Sequence, residues 1–138
     1  MIESPAGPDS LAPALAIDAD RSEVIMTWLE SVDDGHVLRF SRFDGTTFSK
    51  ARDIARGSRW FANWADTPAL FVAANGDFIA HWLEKSADST YAYDIRLSHS
   101  ADRGLNWSAP VTPHADGTPT EHGFVAYFER PSGQTGMV

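Results

Sequence analysis

The sequence has no cysteine among its 138 residues. This excludes disulfides and thiolate chemistry, and it suits a reduced cytosol and an exported protein without bridges equally well. Basic residues are scarce. Eleven Lys and Arg stand against nineteen Asp and Glu, for a net charge of -8, so no basic stripe is present to displace counterions from a phosphate backbone and nucleic acid is not an expected partner. No run of about 18 apolar residues occurs, so no membrane span is expected. The opening "MIESPAGPDSLAPAL" lacks the basic start and apolar stretch of a secretory signal, so no export signal is visible and the localisation stays unknown. No segment holds an apolar period of 3.6 residues over three turns, which excludes an amphipathic helix of ordinary length.

What is present is aromatic and alternating. Aromatic residues make up 12% of the chain, with five tryptophans, enough to furnish a core. Short runs such as "EVIMTWLE" at 23–30, "HVLRFSRF" at 36–43 and "DFIAHWLE" at 77–84 read as strands. Between them lie the turn signals "DDG" at 33–35, "NGD" at 75–77, "DRG" at 102–104 and "DGT" at 116–118. The fold class is therefore all-β.

The chain also repeats itself. "PALAIDADRSEVIMTWLE" at 13–30 matches "PALFVAANGDFIAHWLE" at 68–84, with Trp28-Leu29-Glu30 recurring as Trp82-Leu83-Glu84. Downstream, "RFSRFDGTTFSKA" at 39–51 lines up with "RLSHSADRGLNWSAP" at 96–110, Phe48 standing in the place of Trp107. Four-stranded units at this period, each able to bury its faces only against neighbours, predict a β-propeller of four-stranded antiparallel blades. Strands are expected near 13–18, 23–30, 36–43 and 46–54, and again near 68–73, 77–84, 91–99 and 106–112. Blade one then covers about 13–56, blade two about 68–112, and a third begins over 121–138. About two and a third blades cannot close a ring, so the chain reads as a fragment of a larger propeller whose uncovered faces favour self-association.

The stretch "SADRGLNW" at 100–107 falls on the last hairpin of blade two. Asp102 can accept backbone amides within the turn, Ser100 can bond across it, Gly104 supplies positive φ, and Trp107 returns to the sheet as an apolar anchor. A turn staple is preferred here over a calcium loop or a catalytic role for Asp102. The pattern Ser-x-Asp-x-Gly-x-x-Trp resembles the Asp-box of bacterial neuraminidase repeats, and "SRFDGTTF" in blade one is a degenerate version. With "WFANWADTPAL" and "HADGTPTEHGF", the chain is similar to bacterial members of the sialidase-like propeller superfamily. The resemblance implies six blades in the complete ring, a carbohydrate or glycoconjugate partner, possible glycoside hydrolysis and no cofactor. An exported or periplasmic location would accord with it. At "ADTPAL" the chain has Asp66 and Thr67 where sialidases carry an arginine, so sialic acid specificity is not implied.

In a four-stranded meander, the connections after the second and fourth strands emerge on one face, opposite the Asp-box. The residues that break the repeat gather on that face. Asp66, Glu121, Tyr91, Tyr93 and Asp94 are the catalytic candidates, and Trp60, Asn63, Trp64, His81, His114 and His122 the ligand-binding ones. A glycosidase needs an acid/base carboxyl and a nucleophile or second carboxyl. The resemblance adds a tyrosine to that set, and Asp94 matches an aspartate common ahead of a sialidase Asp-box. Each residue also has a plainer reading. Trp60 and Trp64 can fold back as plugs, and His81, where blade one has Thr27, is better read as a satisfied buried histidine. His81, His114, Glu121 and His122 fit no standard zinc spacing, so no metal is expected. The competing function is a non-catalytic propeller that binds a glycan or a protein.

Overall fold

A computed structural model describes residues 1–138, and its elements are nine strands. No helix is long and apolar enough to cross a membrane. The strands β1 (Ser10–Asp18), β2 (Glu23–Val32), β3 (Gly35–Phe43) and β4 (Arg52–Gly57) form an antiparallel sheet in chain order. The strands β5 (Ala69–Val72), β6 (Phe78–Lys85) and β7 (Tyr93–Ser100) form a second such sheet. A hairpin of β8 (Tyr127–Glu129) and β9 (Thr135–Met137) follows. Each sheet is a meander, which is how consecutive strands joined by short turns pair.

The registers place the two repeats on one frame. Trp28 faces Arg39 across β2 and β3, and Trp82 faces Arg96 across β6 and β7. Facing surfaces of the two sheets share one core. Ile25, Leu29, Leu38, Phe40 and Ile54 of the first meet Leu70, Phe78, Ala80 and Trp82 of the second. Phe40 and Phe78 meet edge to face with centroids 6.0 Å apart, and each such ring contributes about 1.5–3 kcal/mol by leaving water. The other face of the second sheet carries Leu83, Tyr93 and Ile95, with Phe61, Leu97 and Val125 packed on them. The β8–β9 hairpin is tied to the same sheet. Tyr127 stacks on Phe71 at 5.3 Å and bonds His81 Nδ1 at 3.1 Å through its hydroxyl.

Several strands depart from their expected limits. The first begins at Ser10 rather than 13, because the register shifts between Leu11 and Ala14 and Ala12 adopts φ 52°. The third strand of blade two starts at Tyr93 rather than 91. The fourth strand of blade one, expected at 46–54, is displaced to 52–57, with a single bridge from Phe43 to Phe48 before it and a register shift at Leu38/Arg39. Blade two has no fourth strand over 106–112, only a bridge from Leu97 to Val111. Pro110 and Pro113 flank that bridge and offer no N–H to a ladder.

Besides the Leu97–Val111 bridge and the Ser108 amide bond to the His99 carbonyl at 2.8 Å, a serine pair that occurs in both repeats joins this segment to β7. Ser98 Oγ donates to the Ser108 carbonyl at 2.8 Å, and the His99 amide donates to Ser108 Oγ at 3.0 Å. In blade one, Ser41 Oγ donates to the Ser49 carbonyl at 2.6 Å and the Arg42 amide to Ser49 Oγ at 3.0 Å. The aligned serines thus reinforce a sparse ladder at the outer edge.

The turn at 100–107 is the staple its residue types suggest. Asp102 Oδ1 accepts the Leu105 amide at 3.1 Å, the Asn106 amide at 2.8 Å and the Ser100 hydroxyl at 2.8 Å, and Ser100 Oγ accepts the Gly104 amide at 2.7 Å. Hydrogen bonds from Asn106 first, then from Ser100 and the turn amides, hold the Asp102 carboxyl down at about 2. Gly104 has φ 85°, and a Cβ there would stand 2.5 Å from Phe40 Cζ of blade one. Arg103 reaches Asp18 and Asp20 in the first turn of blade one, and Arg42 reaches the Arg103 carbonyl. The turn therefore also clamps one blade to the next.

Candidate functional site

The opposite end of β7 lies roughly 23 Å from that turn, by the rise of a strand over seven steps. Three connections meet there. Residues 58–68 enter along β6, where the Phe61 amide donates to the Leu83 carbonyl at 3.0 Å and the Lys85 amide to the Arg59 carbonyl at 2.8 Å. Residues 86–92 are folded around Lys85, whose ammonium donates to the Ser89 and Thr90 carbonyls at 2.6 Å each. Residues 113–123 return in parallel beside β7, the Tyr93 amide donating to the Thr120 carbonyl at 3.2 Å and the His122 amide to the Tyr93 carbonyl at 3.0 Å. Phe61 joins the first connection to the others by stacking on Tyr93 at 4.4 Å and meeting Tyr91 edge-on at 6.2 Å.

Because neighbouring residues of a strand point to opposite sides, Tyr93 and Asp94 seed two different clusters. The first joins Tyr93, Glu121 and Asp66. The Tyr93 hydroxyl donates to Glu121 Oε1 at 2.5 Å. Burial, then the bond to Glu121, holds this phenol well above its ordinary range, so it keeps its proton. Asp66 is 3% exposed and its Oδ2 has no hydrogen-bond partner. Burial raises its carboxyl above the ordinary range, the Glu121 charge adds to that, and the Phe124 backbone amide pulls the other way. Gly123 fits here because a Cβ would run into Asp66 Oδ2. Asn63 builds the turn that carries Asp66, its Oδ1 accepting the Ala65 and Asp66 amides at 2.8 Å each.

The second cluster joins Asp94, His114, His122 and Asp116. His122 Nδ1 stands 3.2 Å and His114 Nε2 3.8 Å from Asp94 Oδ1. On their far sides, His122 Nε2 is 3.0 Å from Asp116 Oδ2 and His114 Nδ1 is 3.5 Å from Asp116 Oδ1. The two imidazoles stack at 4.0 Å. Thr118 Oγ1 donates to Asp116 Oδ2 at 2.7 Å. The bond to Asp116 raises the His122 imidazole, and the bonds from Thr118 and His122 hold the Asp116 carboxyl far below the usual range.

Of the candidates read from the sequence, Asp66, Glu121 and Tyr93 come together, as do Asp94, His114 and His122. Trp64 is 93% exposed and Tyr91 62% exposed, so both present open faces. Trp60 does not. It is 8% exposed and lies against Trp82 at 5.3 Å inside the shared core, which is the plug reading. Asn63 spends its side-chain oxygen on its own loop. His81 is 2% exposed and bonded to Tyr127, and burial brings its imidazole down to about 4. It is a neutral core residue and is not in the group that Asp94, His114 and His122 form. Sequence reading missed Asp116, Thr118 and Phe61. "DGT" at 116–118 registered only as a turn, and nothing in a phenylalanine beside two tryptophans marks it as the contact between loops.

No family model and no curated protein matches the chain. Solved structures do. A protein of unknown function from Dyadobacter fermentans DSM 18053 matches with a TM-score of 0.63 at 14% identity, over 92% of this chain and 45% of that one. An endo-arabinase from Bacteroides thetaiotaomicron VPI-5482 matches with a TM-score of 0.62 at 17% identity, over 93% of this chain and 50% of that one. The chain thus spans about half the length of these structures or a little less. At such identities the likeness is one of fold, and that fold is all-β, of propeller type, shared with a glycosidase.

Proposed function

We propose that this chain supplies part of a glycan-recognising face of a propeller, formed by the connections at 58–68, 86–92 and 113–123. The observation that carries the reading is the pair of open aromatic faces, Trp64 and Tyr91, on two of these loops. The third carries carboxylates and imidazoles at the same end of β7. Sugars stack their CH faces on such rings and direct hydroxyls to such polar groups. The fold likeness to an endo-arabinase supports the same class of ligand.

A second reading, glycoside hydrolysis, is favoured by one specific feature. Asp66 is a carboxyl pushed toward its neutral form beside a Tyr93–Glu121 pair, a combination suited to proton donation at a glycosidic oxygen. Tyr93 and Asp66 are 1% and 3% exposed, so a substrate reaches them only if the surrounding connections move aside. Binding without chemistry needs no such motion, which ranks it first.

The two readings separate in one set of assays on the longest soluble form of the protein. Calorimetry against arabinan and sialylated oligosaccharides is expected to detect binding that weakens about tenfold or more in Trp64→Ala, the size of one lost stacking face. Hydrolysis of an aryl glycoside panel tests the second reading. If turnover is found, Asp66→Asn and Glu121→Gln are each expected to reduce it about 100-fold or more with binding retained. Wild-type protein that binds none of these glycans, or binding indifferent to Trp64→Ala, would refute the proposed face.

A further inference from the structure

We infer that Asp94, His114 and His122 form a binding site for one divalent transition-metal ion of the zinc class, with Asp116 as the carboxylate that orients the two imidazoles. Asp94 Oδ1, His114 Nε2 and His122 Nδ1 all lie within 4.8 Å of one another. All three atoms are shielded from solvent and none has a hydrogen-bond partner. Three unsatisfied buried polar atoms this close together are costly unless something sits among them.

Their spacing suits a metal better than a proton. Ligands about 2.0–2.2 Å from a common tetrahedral ion stand roughly 3.3–3.6 Å apart, and here two of the separations are 3.2 and 3.8 Å. At 3.2 Å His122 Nδ1 and Asp94 Oδ1 are in contact but make no hydrogen bond. The far side of the ring agrees. His122 Nε2 is 3.0 Å from Asp116 Oδ2, which turns the other ring nitrogen, Nδ1, toward Asp94 Oδ1. Neither atom has a hydrogen-bond partner, and a cation between them would occupy both.

Asp116 and Thr118 then acquire a purpose. A carboxylate behind a metal-bound imidazole fixes its tautomer and aim, and a hydroxyl behind that carboxylate fixes the carboxylate in turn. One nitrogen-rich set with a single carboxylate selects zinc, cobalt or nickel over calcium, which takes six to eight oxygens. Three protein ligands leave a position open. A surface pocket of about 280 Å³, lined by Ser86, Thr112, Asp116 and Thr118 beside the ligands, gives that position access to water or a small anionic ligand. The ion would also bind residues 113–123 to β7. The spacing rule missed this set because its members come from a strand and a loop twenty residues later, and because His81 and Glu121, grouped with it by sequence, face elsewhere.

The test needs only the metal, so it is independent of any glycan activity. Chelator-treated full chain is titrated with zinc chloride by calorimetry and with cobalt chloride by visible absorption. One equivalent of each is expected, the cobalt form showing the intense bands of low coordination number. His114→Ala and Asp94→Asn should each weaken zinc binding at least tenfold, and Asp116→Asn about 10–100-fold, in variants whose circular dichroism keeps the strand signature. Folded wild-type protein that binds no stoichiometric zinc overturns the proposal without reference to any variant. So does zinc affinity unchanged by His114→Ala and Asp94→Asn, or a preference for calcium.

Discussion

The two sheets are built on one repeat yet treat equivalent residues differently. Leu15, paired with Met26, and Leu70, paired with Ala80, occupy the same place in their sheets, but Leu15 is 70% exposed and Leu70 is 5% exposed. The side chain and the strand are the same. What differs is the neighbour: the sheet face bearing Leu70 packs on the first sheet through the shared core, while the corresponding face of the first sheet bears Leu15 and Ile17 in the open. A blade position is thus core or surface according to what stands beside it, which no local pattern encodes. The polar positions teach the same lesson. Thr27 and His81 are equivalent, and so are the Arg42–Glu23 ion pair at 3.3 Å and the His99–Asp77 hydrogen bond at 2.7 Å. The frame keeps the pairing and changes the chemistry.

The largest expected effect sharpens this contrast. Leu70→Ala should cost about 2–5 kcal/mol in chemical denaturation, whereas Leu15→Ala should stay within about 0.5 kcal/mol. Equal losses would break the claim that neighbouring blades decide burial.

The next separates His81 from Thr27. Its folded imidazole titrates at about 4 against 6.5 in the unfolded chain, so the unfolded state takes up the proton first on acidification. Stability from this group is complete above about pH 6.5, falls by about 3 kcal/mol as pH drops to about 4, and changes no further below that. His81→Thr, which borrows the residue of blade one, should flatten the curve in that window.

Gly104→Ala is third. Positive φ and the collision with Phe40 together should cost about 1–3 kcal/mol, against less for Gly45→Ala, where a Cβ meets nothing and only φ 97° is strained. The smallest effect probes what the blades share. Ser41→Ala and Ser98→Ala should each cost about 0.5–1.5 kcal/mol and by similar amounts, since each removes the same edge bond.

Much of the frame was legible along the chain. Alternation located β2, β3 and β6, the repeat set their equivalence, and the residue types at 100–107 announced a stapled turn. The outer edges were less legible, because proline thins the ladder there and a serine pair reinforces what is left, and neither follows an alternating pattern. The loop face was legible only in part. Residues that break the repeat do gather at one end of the sheets, yet which of them meet was hidden. Trp60 and Trp64 stand four residues apart in one loop and end on opposite sides of the division between core and solvent.

By itself the sequence determined what depends on neighbours within a few residues or on copies of one pattern: strand, turn, repeat, and the acidic, cysteine-free character that excludes whole classes of chemistry. Only the tertiary structure decided the clusters. The parallel return of residues 113–123 beside β7 sets Glu121 against Tyr93 and His122 against Asp94, and a shift of one residue in that pairing would exchange their partners. Such a register follows from loop closure and packing summed over the whole sheet, a physical quantity that no spacing between two residues contains.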